Sequence, residues 1–229
     1  MANYLVIGGS SGIGFATAEL LKGEGHRVIV STRKEEAVAG FETIQWNAAS
    51  ATPISLPFEA LDGVVYCPGT IQLKPFHRFS EADFIQDFQI NALGAAKILQ
   101  ECLPLLKKSS HPAVVLFSTV AVQAGMAFHS SISMAKGAIE GLTRSLAAEW
   151  APTIRVNAIA PSLTNTPLAE KLLSSPEKME ASNKRHPLQR IGTAHDLAQM
   201  TVFLLSDKSS WITGQILHVD GGMSSIKSI

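Results

Sequence analysis

Short apolar runs alternate along the chain with segments of helical period. The runs at residues 4–7, 27–31, 43–46, 63–67, 113–118, 155–159 and 215–219 are rich in Val and Ile and mostly continuous. Strands read this way when both faces of a parallel sheet are covered. Between them, Ile13, Ala16, Leu20 and Leu21 share one helical face that ends at Gly23 and Gly25. A longer helix is predicted from near Ser80, where Ser80 and Asp83 have capping-box spacing. It carries Phe84, Phe88, Asn91, Ala95 and Leu99 before Pro104 perturbs it. A third helix runs from about Ser131 to Trp150, with Ala135, Ile139, Leu142 and Leu146 on one stripe, and a last one spans Ala194–Leu205. This alternation predicts an α/β fold: a doubly wound, parallel, seven-stranded Rossmann sheet flanked by helices on both faces, with right-handed crossovers.

Two stretches depart from the pattern. Residues 48–59 hold Pro53 and Pro57 and no full helical period, so the crossover there is expected to be short or irregular. Residues 161–192 are polar, carry Pro161, Pro167, Pro176 and Pro187, and have the length of a functional lid with helical pieces. Within it Leu168, Leu172, Leu173 and Met179 recur at near-helical spacing, suited to line an apolar pocket or to pack the lid down. No repeat, charge run or low-complexity linker interrupts the chain, so one domain is expected over residues 1–229.

The composition narrows the partners. The chain is 46% hydrophobic and 17% charged, enough apolar content for a substantial core. Nineteen basic residues balance nineteen acidic ones, leaving no net field to attract nucleic acid or an anionic membrane. No run approaches a membrane span. Cys67 and Cys102 form no C-x-x-C pair and are expected as free thiols in a reducing compartment. With no basic leader ahead of Tyr4, the expected location is cytoplasmic, and no metal site is expected.

The strongest chemical signal is the loop Gly8, Gly9, Ser10, Ser11, Gly12, Ile13, Gly14 between the first strand and the first helix. Glycines there permit a tight turn and close approach of a phosphate, and the helix behind offers free N–H groups and the positive end of its dipole. Ser10 and Ser11 add hydroxyl donors. A strand before and a helix after is the context of a dinucleotide site. At the end of the second strand, Thr32 is followed by Arg33 and Lys34 rather than by an acid that would grip a ribose 2′-hydroxyl. The Arg33 guanidinium suits a 2′-phosphate, which points to NADP(H) over NAD.

With these residues in view, the chain resembles the classical short-chain dehydrogenase/reductases over nearly its whole length. The resemblance rests on the glycine loop, Asn91, the strand end at Ser118 and Thr119, Lys136, the run Arg155 to Pro161 (RVNAIAP) and residues 214–222 (GQILHVDGG). Gln189, Arg190, Ile191 and Gly192 and the tail look most like the 3-oxoacyl-carrier-protein reductase branch. The resemblance implies hydride transfer between NADP(H) and a carbonyl or alcohol substrate. It further implies adenine contact at Asn47, a cofactor-facing segment at Cys67, Pro68 and Gly69, carboxamide contact at Pro161, Leu163 and Thr164, and a ribose hold by Lys136. Asn91 would support a water path, and Ser118 or Thr119 would position the substrate oxygen. Homodimers or homotetramers are the implied assemblies.

The likeness fails at Ile7, at Tyr66 to Gly69, at the serine position, which holds Thr119, and above all at one further place. The family's proton-passing tyrosine stands four residues before the lysine, and here that position is Ile132, which neither donates nor accepts a proton. The two tyrosines, Tyr4 and Tyr66, lie off that helix. His129, just before it, is a candidate substitute acid, as is Tyr66 at a strand end. Ser130, Ser131 and Ser133 crowd the same turn and suit a helix cap or an oriented water. Two functions follow: an NADPH-dependent reductase with an atypical proton donor, or a catalytically impaired NADP-binding protein serving as a sensor or partner subunit.

Overall fold

Each of the seven apolar runs forms a strand, with ends displaced by one or two residues at most. The strands are β1 (Asn3–Ile7), β2 (Arg27–Thr32), β3 (Glu42–Gln45), β4 (Gly63–Tyr66), β5 (Ala113–Phe117), β6 (Arg155–Pro161) and β7 (Ile216–Val219). All pair in parallel in the order β3-β2-β1-β4-β5-β6-β7. The structure, a computed structural model, describes residues 1–50 and 53–226. Part of the predicted irregular stretch at 48–59, and the last three residues of the span 1–229, lie outside them.

Alternate side chains of each strand feed two cores. Leu5, Ile7, Ile29, Val64, Tyr66, Val114, Leu116 and Val156 pack on one face, under α3 (Gly94–Leu106) and α5 (Ser130–Trp150), between which the chain makes the single turn α4 (Ala121–Ala124). Tyr4, Val6, Val28, Val30, Val65, Val115 and Ile159 pack on the other, where α1 (Gly12–Gly23) lies against α7 (Ala194–Leu205). Burial on both faces is why these strands read as continuous apolar runs.

The helices differ from the periodic reading in three ways. The long helix predicted from Ser80 is interrupted. α2 (Glu81–Phe88) begins with the expected Ser80–Asp83 capping box, a π turn spans Gln89–Leu93, and α3 follows. Side chains replace the regular ladder in that turn: Asn91 Nδ2 donates to the Asp87 carbonyl at 2.8 Å and Tyr66 Oη donates to the Ile90 carbonyl at 2.5 Å. Pro104 does not end α3, which runs on to Leu106. Finally, both predicted stripes are rotated. α1 buries Gly14, Thr17, Ala18 and Leu21, small residues that let it approach the sheet. α5 buries Ser131, Ile132, Ala135, Lys136, Ile139 and Glu140, leaving Leu142 and Leu146 half-buried.

The remaining connections position the site. After β3 the described residues form no helix before β4; the Glu101 carboxylate accepts from Ile54 N at 2.7 Å and anchors the crossover. Residues 162–193 carry a 3-10 turn (Pro167–Leu173) and α6 (Pro176–Lys184). Their base is closed by two-residue strands Thr164–Asn165 and Gly192–Thr193. Among the described residues no helix is long and apolar enough to cross a membrane. Cys67 and Cys102 are free thiols.

The α1–β1 junction admits no extra atom. A Cβ on Gly14 would collide with the Gly8 carbonyl and press on Gly9 Cα, whereas one on Gly23 would meet nothing within 4 Å. Gly14→Ala should lower the unfolding free energy by about 1–3 kcal/mol, the usual cost of overpacking, while Gly23→Ala should be neutral or stabilising. Chemical denaturation of both variants checks this; equal midpoints would show that the loop yields freely.

Candidate active site

The C-terminal ends of the strands open onto one cavity of about 690 Å³. It lies over the point where the sheet order reverses, between β1 and β4, the place where open α/β sheets bind ligands. Its first wall is the glycine loop. Gly8 (φ +77) and Gly12 (φ +56) take left-handed conformations that bulkier residues adopt only under strain. The end of β2 clamps the loop: Gly8 N donates to Ser31 Oγ and Gly9 N to the Ser31 carbonyl, both at 3.0 Å. Ser11, at the N-cap of α1, makes no side-chain capping bond, so the first turn of α1 is not closed by its own serine.

Gly8, Ser10, Ser11, Gly12, Ile13, Gly14, Thr32, Arg33, Asn47, Cys67, Pro68 and Gly69 all line this cavity. Arg33 is exposed and among the described residues pairs with no carboxylate. Thr32 Oγ1 accepts from Lys34 N at 3.1 Å and shapes the turn that presents Arg33. Asn47 Oδ1 accepts from Ala49 N at 3.0 Å.

The other end of the cavity holds Ser118, Thr119, His129, Ile132, Lys136, Pro161, Leu163 and Thr164. Ile132 and Lys136 stand one turn apart on the buried face of α5. Lys136 Nζ donates to the Phe117 carbonyl at 2.8 Å. Burial lowers its pKa to about 8, against the opposing pull of Cys67. Burial likewise pushes the Cys67 thiol up to about 12, with Lys136 opposing. Ser118 Oγ donates to Glu140 at 2.9 Å and is thereby turned into the protein; Thr119 Oγ1 accepts from Ala121 N at 3.3 Å. His129 is half-buried at the start of α5, its Nδ1 2.7 Å from the Ala127 carbonyl.

Asn91 lies behind the cavity wall rather than on it. A Cβ on Gly69 would sit 3.3 Å from Asn91 Oδ1 and 3.7 Å from Lys136 Nζ; glycine leaves that gap open. Asn91 Oδ1 is buried and has no partner among the described residues. Its Nδ2 donates to Thr70 Oγ1 at 2.8 Å, and Thr70 Oγ1 donates to Asp87 at 2.6 Å. Ser131 Oγ also donates to the buried Asp87 carboxylate, at 2.6 Å. Ser133 Oγ donates to the Ala121 carbonyl. Tyr66 is fully buried and does not line the cavity, its hydroxyl held by Ile90.

Several lining residues escaped the sequence reading. Ser31 clamps the glycine loop. Thr166 packs over Gly12, where a Cβ would meet its side chain at 3.4 Å, while Thr164 Oγ1 is turned to the Ser162 carbonyl at 3.0 Å. The lid supplies Ser162, Arg185, His186 and, from the tail, Met223. Only the proline before Ser162 and the polar character of the lid hinted at them. Of the apolar lid residues, Leu168 and Leu172 line the cavity; Leu173 and Met179 do not.

Comparison with known proteins agrees with this geometry. The family model described as Enoyl-(Acyl carrier protein) reductase matches residues 7–224. A tropinone reductase homolog of Arabidopsis thaliana is 35% identical over 242 residues, covering 97% of this chain and 92% of its own length. The short-chain reductase protein NovJ of Streptomyces niveus is 33% identical over 243 residues, covering 95% and 92%. Among solved structures, the ligand-free aldohexose dehydrogenase of Thermoplasma acidophilum superposes with a TM-score of 0.92 at 29% identity, covering 100% of this chain and 96% of its own. ElxO with NADP bound gives 0.89 at 26%, covering 98% and 99%. The chain belongs to the classical short-chain dehydrogenase/reductase family of oxidoreductases.

The buried lysine sets a pH dependence. Its folded pKa, about 8, lies below its ordinary value of 10.5. Below about pH 8 the lysine is protonated folded and unfolded alike, and the cost of burying the ammonium is paid in full. Between those values the unfolded chain binds the extra proton, so this group makes stability rise with pH. Lys136→Met lacks that rise. The unfolding free energy of the unsubstituted protein should therefore gain on that of Lys136→Met between pH 8 and 10.5, measured by denaturant titration; parallel pH curves would contradict it.

Proposed function

We propose that the protein is an NADP(H)-dependent reductase that moves a hydride between the nicotinamide and a carbonyl or alcohol substrate, with a proton donor other than a tyrosine on α5. The observation that carries this is a single cavity joining the glycine loop, Arg33 and the Thr119–Lys136 end. The residues fit the dinucleotide: the left-handed glycines leave room beside the uncapped first turn of α1, which suits a pyrophosphate. Arg33, which pairs with no carboxylate among the described residues, suits the 2′-phosphate, and Asn47 the adenine. Cys67, Pro68 and Gly69 border the stretch of the cofactor between the glycine loop and Lys136, and Pro161, Leu163 and Thr164 the carboxamide. Relatives named as reductases and a similar fold carrying NADP support the reading.

When bound, the reduced cofactor supplies the hydride. The protein's own part is to place and protonate. Lys136 holds the ribose hydroxyls, its ammonium aimed by the Phe117 carbonyl. Thr119 positions the substrate oxygen, because the Ser118 hydroxyl is committed to Glu140. Asn91 Oδ1 and Lys136 Nζ flank the gap beside Gly69, room for a bridging water that would satisfy the buried amide oxygen. His129 stands at the rim as one source of the proton. The chain acts as one cofactor-binding unit, cytoplasmic and homodimeric or homotetrameric, and its tail and Gln189–Gly192 segment resemble the 3-oxoacyl-carrier-protein reductase branch. One observation favours the alternative, an impaired NADP-binding protein: Ile132, 5% exposed, puts an aliphatic wall where the family has a phenol.

Cofactor choice tests the reading directly. A charge-assisted bond from Arg33 to the 2′-phosphate contributes about 1.5–3 kcal/mol, roughly ten- to a hundredfold in affinity. NADPH should bind tighter than NADH by that factor, and Arg33→Ala should erase most of the difference in a fluorescence titration. Equal dissociation constants in the unsubstituted protein would refute the NADP assignment, and NADPH binding without oxidation by any carbonyl compound would favour the impaired reading.

A further inference from the structure

We propose that a Ser162–His186 pair in the lid delivers the proton that the family's tyrosine would supply; the inference rests on the reductase reading above. Ser162 follows β6 directly, is half-buried and is one of the residues that line the cavity. Its Oγ lies 2.9 Å from His186 Nε2. His186 is 2% exposed, and its Nδ1 lies 2.7 Å from the Ser182 carbonyl. A carbonyl only accepts, so Nδ1 carries a hydrogen. In the neutral ring Nε2 is then a lone pair, and the Ser162 hydroxyl donates to it. Met223 Sδ, 2.8 Å from the same oxygen, is a weaker second acceptor.

This is a hydroxyl and a buried imidazole in contact at the cavity wall, with a fixed carbonyl orienting the ring, a contact across which a proton can pass between serine and histidine. Its position suits the reacting end. Val120 N donates to the Pro161 carbonyl at 3.1 Å, so Ser162 adjoins the turn that carries Thr119. Lys136 is anchored on Phe117, at the end of that same neighbouring strand. The competing groups are less prepared. The Ser118 and Thr70 hydroxyls are committed to carboxylates, Tyr66 is sealed off, and His129 has a single loop carbonyl to orient it.

The step balances as follows. The substrate carbon gains the hydride from the reduced nicotinamide, and the carbonyl π pair moves onto oxygen. That oxygen takes the Ser162 hydroxyl proton as the Oγ–H bond breaks. The donating form is the doubly protonated ring, in which the Ser162–His186 bond is reversed and the serine hydrogen is released toward the substrate: Ser162 Oγ takes the Nε2 proton, and His186 is left neutral with its Nδ1 hydrogen on the Ser182 carbonyl. One proton from water reloads the ring through Ser162 between turnovers.

The test uses the full chain with NADPH and benzil, an aryl diketone suited to the apolar lid residues Leu168 and Leu172. Ser162→Ala should lower kcat by about a hundredfold, the lower range for loss of a general acid, and leave NADPH affinity unchanged. His186→Gln should lower it similarly, and the double variant should be no worse than either alone, as expected of groups acting as a unit. Adding Ile132→Tyr to Ser162→Ala should restore turnover by supplying a second donor, which a merely structural serine would not permit. Independently of turnover, nitrogen-15 NMR should show His186 as the Nδ1–H tautomer, with the Nε2 resonance moving in Ser162→Ala. Unchanged kcat in Ser162→Ala, an Nε2–H tautomer, or loss confined to His129→Gln would overturn the relay while leaving the reductase standing. Tight NADPH binding with no benzil reduction by the unsubstituted protein would overturn both.

Discussion

The site depends on a reversal of strand order at the centre of the sheet. β1 has β2 on one side and β4 on the other, so the chain leaves their C-terminal ends toward opposite faces and a crevice must open between the departing loops. The crevice is made rigid by close backbone contact. Ser31 at the end of β2 holds both Gly8 and Gly9, and α1 comes so near that only hydrogen fits at Gly14. Loop, helix terminus and neighbouring strand are thus one unit, and a phosphate entering the crevice meets donors already in place, with little ordering left to cost affinity.

The opposite wall is organised around a buried cation. Lys136 sits deep in the cavity with a backbone carbonyl rather than a carboxylate as its neighbour. Desolvation disfavours the ammonium, which is why its pKa falls toward neutrality. A residue kept at such a cost is one whose charge is compensated by something that enters the cavity. The same reasoning applies to Asn91 Oδ1, an acceptor closed off from solvent and without a partner among the described residues. Both groups border the gap at Gly69, so the polar demand of the empty-handed side chains converges on one point.

The strands were legible because their signal is local: a parallel strand buried on both faces is apolar along its whole length, and β1, β2, β4 and β5 each show it. Helical faces were less so. In α5 the buried face includes Ser131, Lys136 and Glu140, so hydrophobicity alone turned the stripe toward Leu142 and Leu146. The π turn at Gln89–Leu93 was invisible because it is sustained by Tyr66 and Asn91, partners that only the fold brings near. The glycine loop and Arg33 could be read from type and spacing, since their chemistry is tied to the backbone of one short segment. His186 could not: it lies 24 residues from Ser162, and nothing in a proline-rich lid indicates which of its polar residues turns inward.

Ile132 at the position where the resemblance places a phenol bears on more than one group. An aliphatic side chain on α5 lowers the local polarity, and polar atoms around it must find partners elsewhere or pay for desolvation. Two polar sets border the site, while Ser130 Oγ and Asn91 Oδ1 stay buried without a partner among the described residues. On one side Ser131, Thr70 and Gln72 satisfy Asp87, a closed network whose donors are all used. Closed networks of this kind fix side chains rather than move protons. On the other side Ser162 and His186 form a pair without a carboxylate, and both residues line the cavity. The asymmetry is chemical: the carboxylate set ends in an acceptor that is already filled, whereas the imidazole set ends in a hydroxyl whose proton can go either way. A proton route lost from the helix is therefore expected at the strand end, on the residue immediately after β6.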